Sequence, residues 1–473
     1  MFFGGAGRDS RKFCNFALSG SIVCVMSCDL SPGTVSTIKR RQTNMIERCQ
    51  QQPGLVPVEI YQSRVGGQES EVTWFCCVDR QIRLFEKQYP LSDGMSYDSY
   101  IIEDEKTVVV DTVDHAVEKS WREKLDAFFT SRGGRCPDFL IVQHLEPDHS
   151  AAIEGFMETY PACKLVCSVK AAAMLGQFAS GINADRIVAV KEGDTLAIGS
   201  RELHFAMAPM VHWPEVMVTY DPKTRILFSA DAFGTFGSEL ADSVVSGEKD
   251  SSCLAEAWPD EARRYFINIC GKYGAQVKAL LKKAASLDIR YLCPLHGPVI
   301  DLELFNPVDL YDCWASYEAE IPGECLVVAA SLHGNTLAAA RRFADMMKEN
   351  GVAARVFDLS ETDLSEAVSR AFACGATVFM SSTYDASLVP SMKAFLSRLK
   401  SKNWQKRLAG VVENGSWAPI AGKLMKEELA EMKNVTLVGT PVTIRTRLDE
   451  ASEQGLRVLA EELASEMKKS AAV

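Results

Sequence analysis

Cys-x-x-Cys is missing from this sequence, although fifteen of its 473 residues are cysteine. The fifteen are odd in number and scattered. They form no disulfide framework, and no zinc or rubredoxin-type iron site, which needs such pairs. Free, mostly buried thiols fit a reducing compartment. Long apolar runs are missing too: none approaches the ~20 residues that cross a bilayer, so no membrane span is expected. Positive charge is in deficit, and a net charge of −11 argues against a nucleic-acid partner. Neither a Walker A loop nor Gly-x-Gly-x-x-Gly occurs, which disfavours ATP and NAD. Internal repeats and low-complexity segments are absent. The length suits two or three domains with sizeable cores.

Histidine is scarce as well, at seven residues, and its placement is informative. Two of the seven lie in His144-Leu145-Glu146-Pro147-Asp148-His149, together with two carboxylates. The apolar run 138–142 before this stretch reads as a buried strand, and 151–157 after it has helical spacing. The cluster therefore falls on a strand-to-helix loop, with Pro147 keeping the backbone out of helix. In an extended loop alternate residues share a side, so His144, Glu146 and Asp148 converge while His149 faces elsewhere. Such a loop can feed two metal ions. The bland alternative is a solvated loop or a hydrogen-bonded cap.

Three further candidate ligands stand at strand ends, where sites are commonly built. They are His212 before Trp213-Pro214, Asp231 before Ala232-Phe233-Gly234, and His296 in Pro294-Leu295-His296-Gly297-Pro298. A lone histidine of this kind is more often structural, yet four of the seven histidines fall on such loops. His115 reads as surface and His204 as a strand residue.

The chain divides into three. Residues 1–67 read as an extension, disordered or targeting. Its first fifty residues carry seven basic against three acidic side chains, and 16–26 resembles the apolar core of a signal or transit peptide. Residues 68–321 alternate short strands with turns, including strands at 82–85, 99–102 and 107–111 and a helix near 116–130. Two sheets with helices outside, an αββα sandwich, is the economical packing. Pro322-Gly323 marks a boundary. Over 324–473, strand and helix alternate five times, with strands near 325–330, 353–358, 376–381, 408–412 and 435–446. That pattern predicts a doubly wound, five-stranded parallel sheet.

In the second domain, Ser331-Leu332-His333-Gly334-Asn335-Thr336 joins the first parallel strand to its helix. Outward N–H groups at the positive helix end suit a phosphate monoester. Gly334 permits close approach, while Ser331, Asn335 and Thr336 add donors. The alternative is an ordinary polar turn. Loops 381–386 and 413–419 leave later strands at the same edge, where Tyr384 and Trp417 can cover a flat ring or simply pack.

Together these residues resemble the flavodiiron proteins, over roughly residues 70–473. That family joins a metallo-β-lactamase-like domain to a flavodoxin-like domain. Its metal motif His-x-Glu-x-Asp-His stands here as His144 to His149, and the later ligands as His212, Asp231 and His296. The resemblance implies one iron on His144, Glu146 and His212, a second on Asp148, His149 and His296, and Asp231 bridging them. It implies FMN on Ser331, His333, Gly334, Asn335, Thr336, Ser382, Thr383, Tyr384, Asp385, Asn414, Gly415 and Trp417. The third loop reads Glu-Asn-Gly-Ser-Trp rather than the Gly-Ser-Tyr-Gly-Trp of some relatives.

The activity implied is reduction of O2 to water and/or NO to N2O. Electrons would come from a separate donor such as rubredoxin or reduced F420. The assembly implied is a head-to-tail homodimer or a tetramer. The expected location is cytoplasmic, or an organelle reached through the extension. The competing reading is a dinuclear metal hydrolase carrying a flavodoxin-like domain. Against it, two-zinc hydrolases of this type usually carry His-x-His-x-Asp-His. Glu146 in place of the second histidine hardens the site and favours iron.

Overall fold

The computed structural model describes residues 58–67, 70–240 and 251–470. Residues 1–57 of the expected extension, including the segment 16–26, lie outside the described residues. The strand β1 (Val58–Arg64) begins inside the stretch read as extension and pairs antiparallel with β2 (Val72–Asp79). Its burial is intermediate except at the exposed Gln62, as befits an edge strand, so it lacks the apolar alternation that marks buried strands.

Next come a small hairpin, β3 (Leu84–Phe85) and β4 (Tyr89–Pro90), then β5 (Met95–Glu103) and β6 (Thr107–Val110). The strand expected over 82–85 is thus only the first arm of that hairpin. Then follow β7 (Phe139–Val142), β8 (Lys164–Ser168) and β9 (Ile187–Val190). These close a seven-stranded sheet ordered β1-β2-β5-β6-β7-β8-β9. The second sheet runs in chain order: β10 (Thr195–Ala197), β11 (Glu202–Met207), β12 (Met217–Asp221), β13 (Ile226–Phe228), β14 (Tyr291–Cys293) and β15 (Ile300–Asp301).

Alternation along the strands explains the layering. Val72, Trp74, Cys76 and Val78 of β2 join Leu203, Phe205, Met217 and Phe228 in a core between the two sheets. The intervening Phe75 and Cys77 belong instead to the core beneath the outer helices. The helix His115–Ser131, capped by the Asp114 carboxylate on Ala116 N–H, buries Val117, Trp121, Leu125 and Phe128. Burying each of the larger side chains contributes about 1.5–3 kcal/mol. The arrangement is an αββα sandwich.

β16 (Ile321–Ala330), β17 (Ala353–Asp358), β18 (Cys374–Tyr384), β20 (Arg407–Asn414) and β21 (Val435–Leu437) form the third sheet, all parallel and ordered β17-β16-β18-β20-β21. A short β19 (Ser387–Leu388) folds back on β18, and β22 (Val442–Ile444) also pairs with β20. This is the 2-1-3-4-5 order of flavodoxin-like folds.

Two expectations are corrected here. The strand expected over 435–446 is two pieces, β21 and β22. Between them Gly439 takes a φ of +69°, and Pro441 has no N–H to give a ladder. Pro322-Gly323, expected in a connection ahead of the first parallel strand, lies within the first residues of β16 itself. The register with β18 slips between Ile321 and Cys325. A Cβ on Gly375 would come within 2.2 Å of the Pro322 carbonyl oxygen, so the two backbones meet there.

The helix Ser251–Ile269 packs on the helix Leu364–Ala373 of the parallel-sheet layer. Arg264 Nε donates to Ser365 Oγ at 2.8 Å. Arg263 donates to Ser369 Oγ at 3.2 Å and to both oxygens of Glu320 at 3.0 Å.

Candidate metal centre

Four loops bring the candidate ligands together. They follow β7, β11, β13 and β14, and carry the 144–149 motif, His212, Asp231 and His296 respectively. The first loop differs from the extended form expected. Pro147 starts a short helix, Pro147–Ser150, with Glu146 at its N-cap. Proline suits that first position because its missing N–H would have had no partner there. The helical turn swings Asp148 away from Glu146, so His144, Glu146 and Asp148 do not share one side. Asp148 instead joins His149, the neighbour expected to face elsewhere.

Two clusters result. One holds His144, Glu146, His212 and Asp231; the other holds Asp148, His149 and His296. Within each, the donor atoms lie within 4.8 Å of one another. His144 Nε2 is 3.3 Å from Glu146 Oε2 and 3.5 Å from Asp231 Oδ2. His212 Nε2 is 2.8 Å from Glu146 Oε2 and 3.3 Å from Asp231 Oδ2. In the second cluster, His149 Nε2 lies 3.1 Å from His296 Nε2, and His296 Nε2 lies 3.2 Å from Asp148 Oδ2. Asp231 Oδ1 lies 3.2 Å from His149 Nε2, so this carboxylate turns one oxygen to each cluster.

These residues fit a pair of metal ions. His144 Nδ1 is 2.8 Å from Glu215 Oε1, and His296 Nδ1 is 2.7 Å from the Ser96 carbonyl oxygen. Neither acceptor has a proton to give, so the imidazoles donate there, and a neutral ring then presents a lone pair at Nε2. Lone pairs therefore face carboxylate oxygens and one another, a set that needs cations between them. Both oxygens of Asp148 and of Asp231 are buried without a hydrogen bond. Mixed imidazole and carboxylate donors of this kind suit first-row metals such as iron.

Without a metal the electrostatics show the same demand. Burial alone would depress His144, but Asp231, Glu146 and Glu215 hold it well above the ordinary imidazole value. His212 and His296 are pushed up to about 9 against burial, the former by Asp231 and Glu146, the latter by Asp148 and Asp231. Burial would raise Asp231, yet His144, His149 and His212 hold it well below the carboxylate range.

Reasoning from sequence missed two surrounding groups. Glu215, wholly buried, backs His144 and also accepts the Leu145 N–H at 3.0 Å. Its place three residues after His212, in His-Trp-Pro-Glu, was the available signal. Glu86, at the tip of the β3–β4 hairpin, is pushed up to about 7 by desolvation and by the Glu146 charge. Aromatic rings wall the second cluster: Phe85, Tyr97 and Tyr265 lie 5.6, 5.7 and 5.6 Å from the His296 ring. His115 is exposed on its helix, and His204 lies on β11 away from the clusters.

A cavity of about 560 Å³ opens at the carboxyl edge of the parallel sheet. Ser331, His333, Asn335, Thr336, Ser382, Thr383, Asp385, Asn414, Gly415 and Trp417 line it, and so does Thr446, which no sequence pattern singles out. Gly334 and Tyr384 are not among the lining residues. Gly334 instead makes the turn into the helix Asn335–Glu349 with a φ of +88°. Thr383 Oγ1 accepts the N–H groups of Ile420 and Ala421, so part of its role is to tie down the neighbouring loop. Asn414 is likewise engaged, exchanging hydrogen bonds of 3.0 Å with the backbone of Thr446. Trp417 is 82% exposed at the rim.

The fold and site define a class: a metallo-β-lactamase-like αββα sandwich with two clusters of candidate metal ligands, joined to a flavodoxin-like sheet with an edge cavity. A family model described as an ODP family beta lactamase matches residues 96–297, within the sandwich. The anaerobic nitric oxide reductase flavorubredoxin of Vibrio vulnificus is 28% identical over 370 residues, covering 74% of this chain and 69% of that protein. A nitric oxide reductase of Moorella thermoacetica is 26% identical over 373 residues, covering 78% of this chain and 90% of that one. Among solved structures, rubredoxin oxygen:oxidoreductase from Desulfovibrio gigas superposes with a TM-score of 0.78. It is 22% identical and covers 87% of this chain and all (100%) of that one, a likeness of fold. In sequence and in fold the chain is similar to flavodiiron proteins, among them one from Thermotoga maritima with a TM-score of 0.77 at 23% identity, covering 87% of this chain and 99% of that one. No helix among the described residues is long and apolar enough to cross a membrane.

Proposed function

We propose that this chain is an oxidoreductase that passes electrons from FMN to a non-haem diiron centre reducing O2 to water and/or NO to N2O. One observation carries the reading: the buried Asp231 carboxylate divides its oxygens between two imidazole-and-carboxylate clusters. His144, Glu146 and His212 would hold one iron, Asp148, His149 and His296 the other, and Asp231 would bridge. When bound, the iron pair and the flavin together supply the electrons for these reductions.

The protein's own residues do the rest. Glu146 supplies a carboxylate where two-zinc hydrolases usually place histidine, which favours iron and disfavours the dinuclear hydrolase. Phe85, Tyr97 and Tyr265 exclude bulk water from the His296 side. At the other site, Ser331, Asn335 and Thr336 sit at the start of the helix Asn335–Glu349, suited to a phosphate, and Trp417 would cover one face of the ring system. Electrons would arrive from a separate donor such as rubredoxin or reduced F420. The working assembly would be a head-to-tail homodimer or tetramer in a reducing, cytoplasmic compartment.

The test is anaerobic purification followed by metal and flavin analysis and stopped-flow with O2 and NO in turn. Two irons and one FMN per chain, with turnover of at least one gas, are expected. A colourless zinc protein that hydrolyses esters would overturn the reading.

A further inference from the structure

Three of the four imidazoles at the metal centre are held differently at the nitrogen that faces away from it. His144 Nδ1 donates to Glu215 Oε1 at 2.8 Å, and both side chains are 0% exposed. His296 Nδ1 donates to a neutral carbonyl, that of Ser96, at 2.7 Å. His149 Nδ1 is buried and has no hydrogen-bond partner; only the backbone of His149 is fixed, by Thr112 Oγ1 on its carbonyl at 2.5 Å. One cluster is therefore backed by a full negative charge. The other has a neutral carbonyl hydrogen-bonded to one ring and no hydrogen-bond partner on the second, which the buried Asp111 carboxylate influences only through space.

We propose that Glu215 is a positioning residue that makes the two metal positions unequal, so that the cluster of His144, Glu146, His212 and Asp231 fills first and more tightly. This rests on the diiron reading above. An imidazole that donates to a carboxylate is locked in one tautomer and one ring orientation, and its other nitrogen is a stronger donor to a metal. The buried charge also attracts a dication through a poorly screening interior. Glu215 clamps two of the three loops that supply this cluster. Its side chain accepts from Leu145 N–H at 3.0 Å, next to His144, and its own backbone stands three residues from His212. Its carbonyl takes the Ser168 hydroxyl at 2.7 Å, anchoring the second loop to the end of β8. Asp148 and His149, by contrast, hang from a single helical turn.

The test uses the metal-free, FMN-containing protein, titrated anaerobically with Co(II) as the probe and followed by its ligand-field bands. Wild type is expected to bind in two resolved steps. At one equivalent it should show a hyperfine-shifted, exchangeable imidazole N–H from His144. Glu215→Gln keeps the size and an acceptor oxygen but removes the charge. It should weaken the first step about 10- to 100-fold, leave the second unchanged, and move that N–H resonance. His149→Ala should lose the second step and keep the first. A single shared affinity in wild type, equal weakening of both steps by Glu215→Gln, or loss of the first step in His149→Ala would overturn the ordering. Wild type that takes up no Co(II) would overturn the diiron reading itself, whereas two equal sites overturn only this proposal.

Discussion

His149 Nε2 and His296 Nε2 point at each other across 3.1 Å, while His296 spends its other nitrogen on the Ser96 carbonyl. Two ring nitrogens cannot both present hydrogens across that gap. In the metal-free protein a proton must do part of the work of a cation.

The first prediction concerns pH. His212 and His296, raised from 6.5 to about 9 by the facing carboxylates, stay protonated in the metal-free fold well above the ordinary range. A raised imidazole value means stabilisation that is complete below 6.5 and lost as pH climbs through about 9. Calorimetry of metal-free protein should therefore show the melting temperature falling between those values. Metal-loaded protein should lack this fall, because metal has replaced the protons. Identical pH profiles for the two forms would count against the assignment of the centre.

Removing the shared carboxylate is the second. Asp231→Ala leaves His144, His149 and His212 without their common counter-charge. Bound iron should fall well below two per chain and gas turnover should drop about 100-fold or more, while FMN content is unchanged. Glu146→Ala should behave likewise. Full turnover of O2 and NO by either variant would refute the site.

The third concerns the cavity rim. Trp417 is 82% exposed, so Trp417→Ala should change unfolding free energy by no more than about 0.5 kcal/mol. Loss of a stacked ring is worth about 1 kcal/mol, so FMN affinity should weaken several-fold. Fluorescence titration of the flavin-free protein reads this directly. Unaltered affinity would take Trp417 out of the flavin site.

The fourth concerns the donor. With no dinucleotide fingerprint in the chain, NADH alone should reduce the protein slowly, and added rubredoxin with its reductase should speed flavin bleaching. Fast direct reduction by NADH would be the contrary result.

Much of this was legible before any coordinates. The helix near 116–130 and the parallel sheet implied by the βα alternation after residue 324 are both readable in the sequence. The seven candidate ligands were marked by type and by their places at strand ends. Local rules failed where tertiary structure overrode them. Pro147 reads as a helix breaker, but as a first helical residue it starts one, and that turn sends Asp148 to the second cluster. Glu215 is marked in the sequence only by its place three residues after His212; its contact with His144, 71 positions away, emerges from the fold. Thr446 reaches the cavity because β22 is a separate short strand, a break that Gly439 and Pro441 make and that apolar spacing conceals.

Arg263 and Arg264, side by side on one helix of the sandwich, each grasp a serine on a single helix of the parallel-sheet layer. Fastened at two points a turn apart, the layers resist sliding along that seam. On the proposed function, electrons passing between the two sites would then travel a fixed distance or pass through a neighbouring molecule.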